Sequence, residues 1–275
     1  MTKDYHPIVY HDFLVKETGG DVPLHGLTND QFEHFSRSQA PRSDRLGLGE
    51  QGKRHPRPRS HSLNEYDHYR SQDLLDRIRY TEEGLRGNFK GNLRDCSIQG
   101  PSTTLEQLLT ELPESVAFDL EIKYPMLWEA EDRNMEFFAI ELNFYVDTIL
   151  TMIFRRCGKR NIAISSFSPE ICVALACKQR TFPILLISKA GSVPVSDVRA
   201  GSLQGAIEFA TAWDLAGVVM LSDPFVMCPR LLTYAKRETG LVVCSYGDLN
   251  NDAECTRVST LSYSVERSKR YTELC

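Results

Sequence analysis

Short apolar runs alternate with longer stretches of helical periodicity from about Ser115 onward. The apolar runs that we interpret as strands are Val116–Ile122, Ile162–Phe167, Ile184–Ile187, Val218–Leu221 and Leu241–Cys244. The helical stretches are Met135–Cys157, Pro169–Lys178, Leu203–Trp213 and Met227–Glu238. This alternation predicts βαβ units and a parallel sheet, arranged as a (β/α)-barrel or as a doubly wound sheet. No Gly-rich phosphate loop follows any predicted strand, which argues against the nucleotide-binding form of the doubly wound sheet.

Local signals mark the ends of several of these elements. Ser168 followed by Pro169 predicts a helix N-cap with proline in the first turn. A glutamate three residues after Thr103 predicts a capping box at the start of another helix. Gly240 predicts the end of the helix before the last strand. Near the beginning of the chain, Pro7–Tyr10 predicts one further short strand.

Residues 36–62 have a different composition, rich in Arg, Ser, Pro and Gly and poor in large apolar side chains. Such a segment cannot bury enough apolar surface to offset the entropy of ordering the chain. We therefore predict a disordered insertion in a loop, and a basic phosphorylatable patch or docking segment is the alternative.

The overall composition is that of an ordinary globular protein. The 275 residues are 41% hydrophobic and 25% charged with a net charge of −5, so nothing points to nucleic acid as a partner. The eight cysteines form no C-x-x-C pair, and we expect reduced thiols in a cytoplasmic protein. Met1 is followed at once by polar residues, unlike a signal peptide. Acidic residues interrupt the best membrane candidate, 137–154, so we expect no membrane span.

The predicted strand 116–122 carries an unusual set of charges. Its side chains alternate between two faces, and Asp119, Glu121 and Lys123 share one of them. A parallel strand covered on both faces normally reads as a continuous apolar run. Charges facing a barrel interior would be costly unless they are paired, hydrated or bound to a metal, so Glu121 could bind a hard cation and Lys123 a phosphate oxygen. The alternative is an edge strand with one wet face.

Three other polar segments follow predicted strands. His11-Asp12 comes after the strand at Pro7–Tyr10, which we treat as a parallel strand, although a polar turn is the alternative. Ser165-Ser166-Phe167 ends a strand, and its hydroxyls could bind phosphate or cap the next helix. Cys244–Asp252 is a polar loop after the last strand. In a barrel these segments share the C-terminal face, where barrel enzymes build their active sites.

An ordered set of segments resembles one enzyme family. The segments are Thr2–Asp4 with Pro7–Asp12, Thr103–Pro113, Asp119–Pro125, Ser165–Ser168, and Ser245–Gly247 with Asn250–Asn251. Together they resemble the glycerophosphodiester phosphodiesterases, in particular fungal members that carry further regulatory domains upstream. The resemblance implies a (β/α)8 barrel of the TIM type and metal-dependent hydrolysis of a glycerophosphodiester to glycerol 3-phosphate and an alcohol.

The resemblance also implies roles for single residues. His11 would be one of two acid/base histidines, and Asp12 belongs to the same motif in a role that stays open. Glu121 would bind a divalent cation, Mg²⁺ or Ca²⁺, and Lys123 would bind the phosphate. The other residues expected on the substrate side are Ser166, Phe167 and Tyr246.

Departures from the family pattern lie at both ends of the match. The family's His-Arg-Gly turn, Glu-Asn pair and Glu-x-Asp metal motif would precede Thr2, so we expect a barrel without its first strand. From about Ala253 the sequence diverges, and Val258–Val265 would make only a poor last strand. We therefore expect a barrel over residues 1–252 and a divergent tail over 253–275.

Three functions remain open at this point. The chain is expected to be a phosphodiesterase that is truncated at its N-terminus. A catalytically impaired regulatory or binding module of the same fold is the first alternative. An unrelated α/β-barrel enzyme that acts on another phosphorylated compound is the second.

Overall fold

The computed structural model describes residues 1–15, 21–38, 103–135 and 140–253 of the chain. The chain divides into two compact units, Met1–Leu108 and Leu109–Cys275. No helix in the described ranges is both long enough and apolar enough to span a membrane.

The described residues of the first unit form two small antiparallel sheets and the helix α1 (Asn29–Ser38). Strand β1 (Ile8–Val9) pairs with β4 (Thr103–Thr104), and β2 (Leu14–Val15) pairs with β3 (Val22–Pro23). The predicted strand at Pro7–Tyr10 is therefore shorter than expected, and its assignment as a parallel strand is wrong. Its partner is a pair of β-branched residues, which favour extended structure, and the pairing is antiparallel.

Helix α1 (Asn29–Ser38) was not among the predicted elements. A capping box marks its start, because Thr28 Oγ1 accepts from Gln31 N at 3.3 Å and Gln31 Oε1 accepts from Thr28 N at 2.9 Å. The helix includes residues 36–38, so the first part of the predicted disordered insertion is helical instead. The remainder of that insertion lies outside the described residues.

A small apolar core lies beneath α1. Its buried members are Val15, Leu24, Leu27 and Phe32. The ring of Tyr10, directly before His11, meets the ring of Phe32 edge to face at a centroid distance of 5.4 Å. The segment that carries His11 is thereby fixed to the core of this unit.

The chain passes into the second unit through α2 (Leu105–Glu111). The capping box at its start uses Thr104 and Gln107, with Gln107 N donating to Thr104 Oγ1 at 3.1 Å and Thr104 N donating to Gln107 Oε1 at 2.9 Å. The prediction that used Thr103 was wrong by one residue, because the helix begins at Leu105 and its third residue is therefore Gln107.

Five parallel strands form the central sheet of the second unit, in the order β5-β6-β7-β8-β9. The strands are β5 (Phe118–Glu121), β6 (Ile162–Ser166), β7 (Ile184–Ser188), β8 (Gly217–Leu221) and β9 (Val242–Tyr246). Each lies within two residues of a predicted strand, so the parallel βαβ arrangement is confirmed. Every residue of the central strand β7 is buried, whereas the edge strands β5 and β9 are partly exposed.

The helices agree less closely with their predicted limits. They are α3 (Leu127–Asp132), α4 (Leu142–Arg156), α5 (Pro169–Lys178), α6 (Leu203–Ala212), α7 (Asp223–Met227) and α8 (Arg230–Thr239). The single helix predicted over 227–238 is wrong: Pro229 lacks the backbone N–H that would continue a helix, so α7 ends before it and α8 begins after it. Glu141 caps α4 by accepting from the backbone N–H of Asn143 and Phe144, which explains its late start.

Candidate active site

Glu121 and Lys123 form an ion pair at the C-terminal end of β5. Lys123 Nζ lies 2.7 Å from Glu121 Oε1, and the two side chains are 22% and 30% exposed, respectively. β5 is an edge strand of the described sheet, as the alternative interpretation required. The partial burial of both side chains nevertheless distinguishes this pair from charges in bulk solvent.

Two aromatic residues predicted from the strand ends adjoin this pair. Phe167 directly follows β6, and Lys123 Nζ lies 5.7 Å from its ring centroid. Tyr246 ends β9, and its ring meets that of Phe167 edge to face at 6.0 Å. In a flat sheet β6 and β9 would lie three strand spacings apart, about 14 Å. The contact therefore indicates that the sheet curls so that its C-terminal strand ends converge, as in a barrel.

The hydroxyl of Tyr246 has a strongly perturbed environment. Burial, together with the negative charges of Glu121 and Asp223, raises its pKa to about 12. The hydroxyl therefore stays protonated at neutral pH and can donate a hydrogen bond. Asp223 is the first residue of α7, after β8, and was not among the predicted site residues.

Asp119 lies on the same face of β5 as Glu121. Burial, and to a smaller extent the charge of Glu121, raises the pKa of its carboxyl. An upward shift of this kind is expected for a carboxyl that is partly removed from water and lies near a second carboxylate.

Ser166 is fully buried beneath this group, and its hydroxyl is engaged by the backbone. Ser166 Oγ donates to Ile122 O at 2.7 Å and accepts from Ser168 N at 3.1 Å. Ser168 caps α5 by accepting from Ile171 N, which confirms the predicted N-cap. Ser166 thus ties the segment between Glu121 and Lys123 to the start of α5.

Glu129, whose carboxyl is influenced by Lys123, and Lys189 were not among the predicted site residues. Burial raises the pKa of Glu129, while a hydrogen bond from Met126 N and the charges of Arg133, Lys123 and Lys189 lower it, and the shift is upward on balance. Lys189 lies with Nζ 5.7 Å from the ring centroid of Trp128. The position of Lys189 directly after β7 is the one sequence signal that could have indicated it.

His11 and Asp12 belong to the first unit, and the other predicted site residues belong to the second. His11 Nδ1 lies 2.8 Å from Asp12 Oδ1, and the side chains are 81% and 36% exposed. The contact with Asp12 favours the tautomer with the proton on Nδ1. In that tautomer Nε2 carries no proton and can accept one.

No group of three His, Cys, Asp or Glu side chains within the described ranges could bind a metal ion. Mg²⁺ and Ca²⁺ take six or more oxygen ligands, and Glu121 can supply one. The described residues alone therefore do not complete a site for such a cation.

Comparison with known proteins gives a consistent result along the whole chain. The sequence model of the Glycerophosphoryl diester phosphodiesterase family matches residues 1–270. A glycerophosphocholine phosphodiesterase of Schizosaccharomyces pombe is 42% identical over 260 residues, which are 94% of this chain and 22% of that protein. The human glycerophosphocholine phosphodiesterase is 26% identical over 276 residues, which are 94% of this chain and 35% of that protein. The chain spans about a fifth of the length of its fungal relatives.

A solved structure supports the fold. A candidate glycerophosphoryl diester phosphodiesterase from Silicibacter pomeroyi matches with a TM-score of 0.52 at 14% identity, over 93% of this chain and 74% of that chain. At this identity the likeness bears on the fold alone. Together with the curled parallel sheet, it confirms the predicted α/β-barrel class.

Proposed function

The chain belongs to the glycerophosphoryl diester phosphodiesterase family, and we propose that it hydrolyses a glycerophosphodiester such as glycerophosphocholine to glycerol 3-phosphate and an alcohol. The observation that carries this proposal is the group of an ammonium, a carboxylate and two aromatic rings at the converging strand ends. An ammonium there suits a phosphate oxygen, and the rings exclude water from one side of the substrate.

In the proposed reaction, water adds to phosphorus, the P–O bond to the alcohol breaks, and a proton passes to the leaving alkoxide. Lys123 offsets the negative charge of the phosphoryl oxygens. Tyr246 donates its hydroxyl hydrogen to the phosphate or to a glycerol hydroxyl, since its raised pKa keeps it neutral. Phe167 stacks beside the ammonium and orients it. Ser166 acts on the substrate indirectly by fixing the backbone at Ile122.

His11 is the proposed acid/base residue, on the ground of its motif. Asp12 would then fix the ring tautomer through the 2.8 Å contact with Nδ1, leaving Nε2 for proton transfer. The role of Asp12 would be to position the imidazole of His11 and to stabilise the imidazolium.

Members of this family generally depend on a divalent cation, and we propose Glu121 as one of its carboxylate ligands, with Mg²⁺ or Ca²⁺ as the ion. Such an ion would withdraw charge from the phosphoryl oxygens. Its remaining ligands would come from outside the described residues.

Glu121→Gln tests the proposal, because it keeps the shape of the side chain and removes its charge. The purified chain is incubated with glycerophosphocholine and Mg²⁺ or Ca²⁺, and glycerol 3-phosphate and choline are measured. We expect equal amounts of both products from the unchanged chain and a loss of about 100-fold or more in the variant, since even residues that only orient metal ligands are worth about 10–100-fold. Glu208→Gln, on the exposed face of α6, is the matched control. Unchanged turnover in Glu121→Gln would remove Glu121 from the mechanism.

The same assay separates the enzyme from a binding module. A folded chain that binds glycerol 3-phosphate but never turns over a phosphodiester would be the regulatory module. The proposed cytoplasmic location rests on the prediction from the sequence that the cysteines are reduced thiols.

A further inference from the structure

Lys189 is a partly buried residue directly after β7, at the C-terminal end of the central strand. Its ammonium lies over the ring of Trp128 at 5.7 Å. Within the described residues it has no hydrogen bond or ion pair to a carboxylate oxygen, whereas Lys123 is paired with Glu121. Of the two lysines described at these strand ends, Lys189 is therefore the one whose ammonium has no carboxylate within ion-pair distance.

The turn that carries Lys189 is fixed by a buried hydroxyl. Ser188, 1% exposed, donates from Oγ to Ala200 O at 2.8 Å and accepts from Ala190 N at 2.9 Å. Ala190 has a φ of 52°, in the left-handed region that non-glycine residues rarely adopt. The strained backbone is held in place on both sides of Lys189. The Cα atom from which this flexible side chain extends therefore has a fixed position.

Lys189 and Lys123 each lie over an aromatic ring, Trp128 and Phe167 respectively, and both of their charges act on the Glu129 carboxyl. Phe167 follows β6, which lies between β5 and β7 in the sheet, and Lys123 already contacts the Phe167 ring. The chain segments that carry the two lysines are about 10 Å apart, two strand spacings. Long side chains from these positions can reach one phosphate group above the central strand end. Since both charges act on Glu129, both ammonium groups lie near α3.

We propose that Lys189 is a second phosphate-binding residue, which contacts the anionic phosphate of the substrate and of glycerol 3-phosphate together with Lys123. This inference rests on the proposed function for the identity of the anion. The competing explanation is that Lys189 only offsets the charge of Glu129, in which case it would support the fold without touching a ligand.

Lys189→Met separates the two explanations, because methionine keeps an apolar stem over Trp128 and removes only the ammonium. Binding of glycerol 3-phosphate to the full chain is measured by titration calorimetry at two salt concentrations. We expect roughly tenfold weaker binding in Lys189→Met, the loss of one charge-assisted contact, and a weaker salt dependence. Lys189→Arg should bind within a few-fold of the unchanged chain. Lys178→Met is the control, since Lys178 pairs with Asp147 at 2.9 Å on the helices.

The outcomes are distinct from those that test the proposed function. Equal affinity in Lys189→Met, with only a lower unfolding temperature, would overturn the inference and favour the role of offsetting Glu129. An unchanged chain that does not bind glycerol 3-phosphate would overturn it as well. If the chain binds glycerol 3-phosphate through Lys189 but does not hydrolyse glycerophosphocholine, the proposed function fails while the assignment of Lys189 stands.

Discussion

Replacing Arg160 by methionine should destabilise the second unit strongly. Arg160 is only 4% exposed, and its guanidinium donates four hydrogen bonds to backbone carbonyl groups near the end of α2. The acceptors are Val116 O at 2.6 Å, Pro113 O at 2.7 Å, Leu112 O at 2.8 Å and Leu109 O at 3.3 Å. The guanidinium also lies 4.2 Å from the ring centroid of Phe118, the first residue of β5. One side chain thus joins the end of a helix to the strand that carries Glu121.

The expected loss follows from these contacts. A hydrogen bond to a charged group contributes about 1.5–3 kcal/mol net, so four independent bonds would sum to roughly 6–12 kcal/mol. That sum is too large here, because the bonds share two nitrogen atoms and water can reach carbonyl groups of the exposed segment 111–117. We expect about 3–5 kcal/mol, because each carbonyl group that stays buried without its donor costs about 1–3 kcal/mol. Since whole domains are stable by about 5–15 kcal/mol, this is a large fraction.

Urea unfolding followed by tryptophan fluorescence measures this loss, because both tryptophans, Trp128 and Trp213, lie in the second unit. Arg160→Lys keeps the charge but not the planar fork, so it should lose less than the methionine variant. Arg155→Met, on the exposed last turn of α4, should stay within about 0.5 kcal/mol. A loss below about 1 kcal/mol in Arg160→Met would refute the structural role given to these hydrogen bonds.

Two further predictions concern residues of the site. Because the pKa of Tyr246 is about 12 in the folded chain and about 10 in an unfolded one, the folded chain binds more protons between these values, and stability falls as pH rises through them. Tyr246→Phe should therefore lose less stability than the unchanged chain between about pH 10 and 12, and an equal fall in the urea midpoint would contradict this. Ser166→Ala should cost about 1–3 kcal/mol, because it leaves the buried Ile122 O and Ser168 N without their partner. A wild-type midpoint in Ser166→Ala, with Ser192→Ala in an exposed loop as control, would exclude that role.

The fold of the second unit could be predicted because its local signals agree with its long-range order. Apolar runs such as Ile184–Ile187 are short and are separated by helical stretches, which favours buried strands over buried helices. Ser168 followed by Pro169 indicates a helix start from local sequence alone. The errors arose where the sequence offers two equivalent signals or does not indicate the pairing partner of a strand. Two consecutive threonines each precede a Glu or Gln by three residues, and the start of α2 at Leu105 makes Thr104 and Gln107 the capping pair. β1 was wrongly predicted to be a parallel strand, because nothing in the local sequence indicates β4 as its antiparallel partner.

The site could be predicted only where sequence position implies spatial position. Glu121, Phe167 and Tyr246 lie at strand ends, and parallel topology brings strand ends to one face. Glu129 lies on α3, a short helix with no strand-end signal, and its proximity to Lys123 depends on how the segment after β5 turns back. Lys189 has the strand-end signal, but its contact with Trp128 follows from no spacing rule. The roles of Trp128 and Glu129 therefore become visible only in three dimensions.

The ion pair at the end of β5 shows that the two interpretations of its charges are compatible. Charges on an edge strand cost little free energy because one side of the strand is exposed to water. The C-terminal end of the same strand is also where side chains from the neighbouring strands converge. Because Lys123 follows Glu121 by two residues on the same face, the carboxylate neutralises the ammonium without any ligand. A phosphate must then compete with Glu121 for Lys123, so Lys123 alone makes a weak anion site. The proposed contact of Lys189, directly after the central strand β7, would supply the same phosphate with a second ammonium that has no ion-pair partner among the described residues.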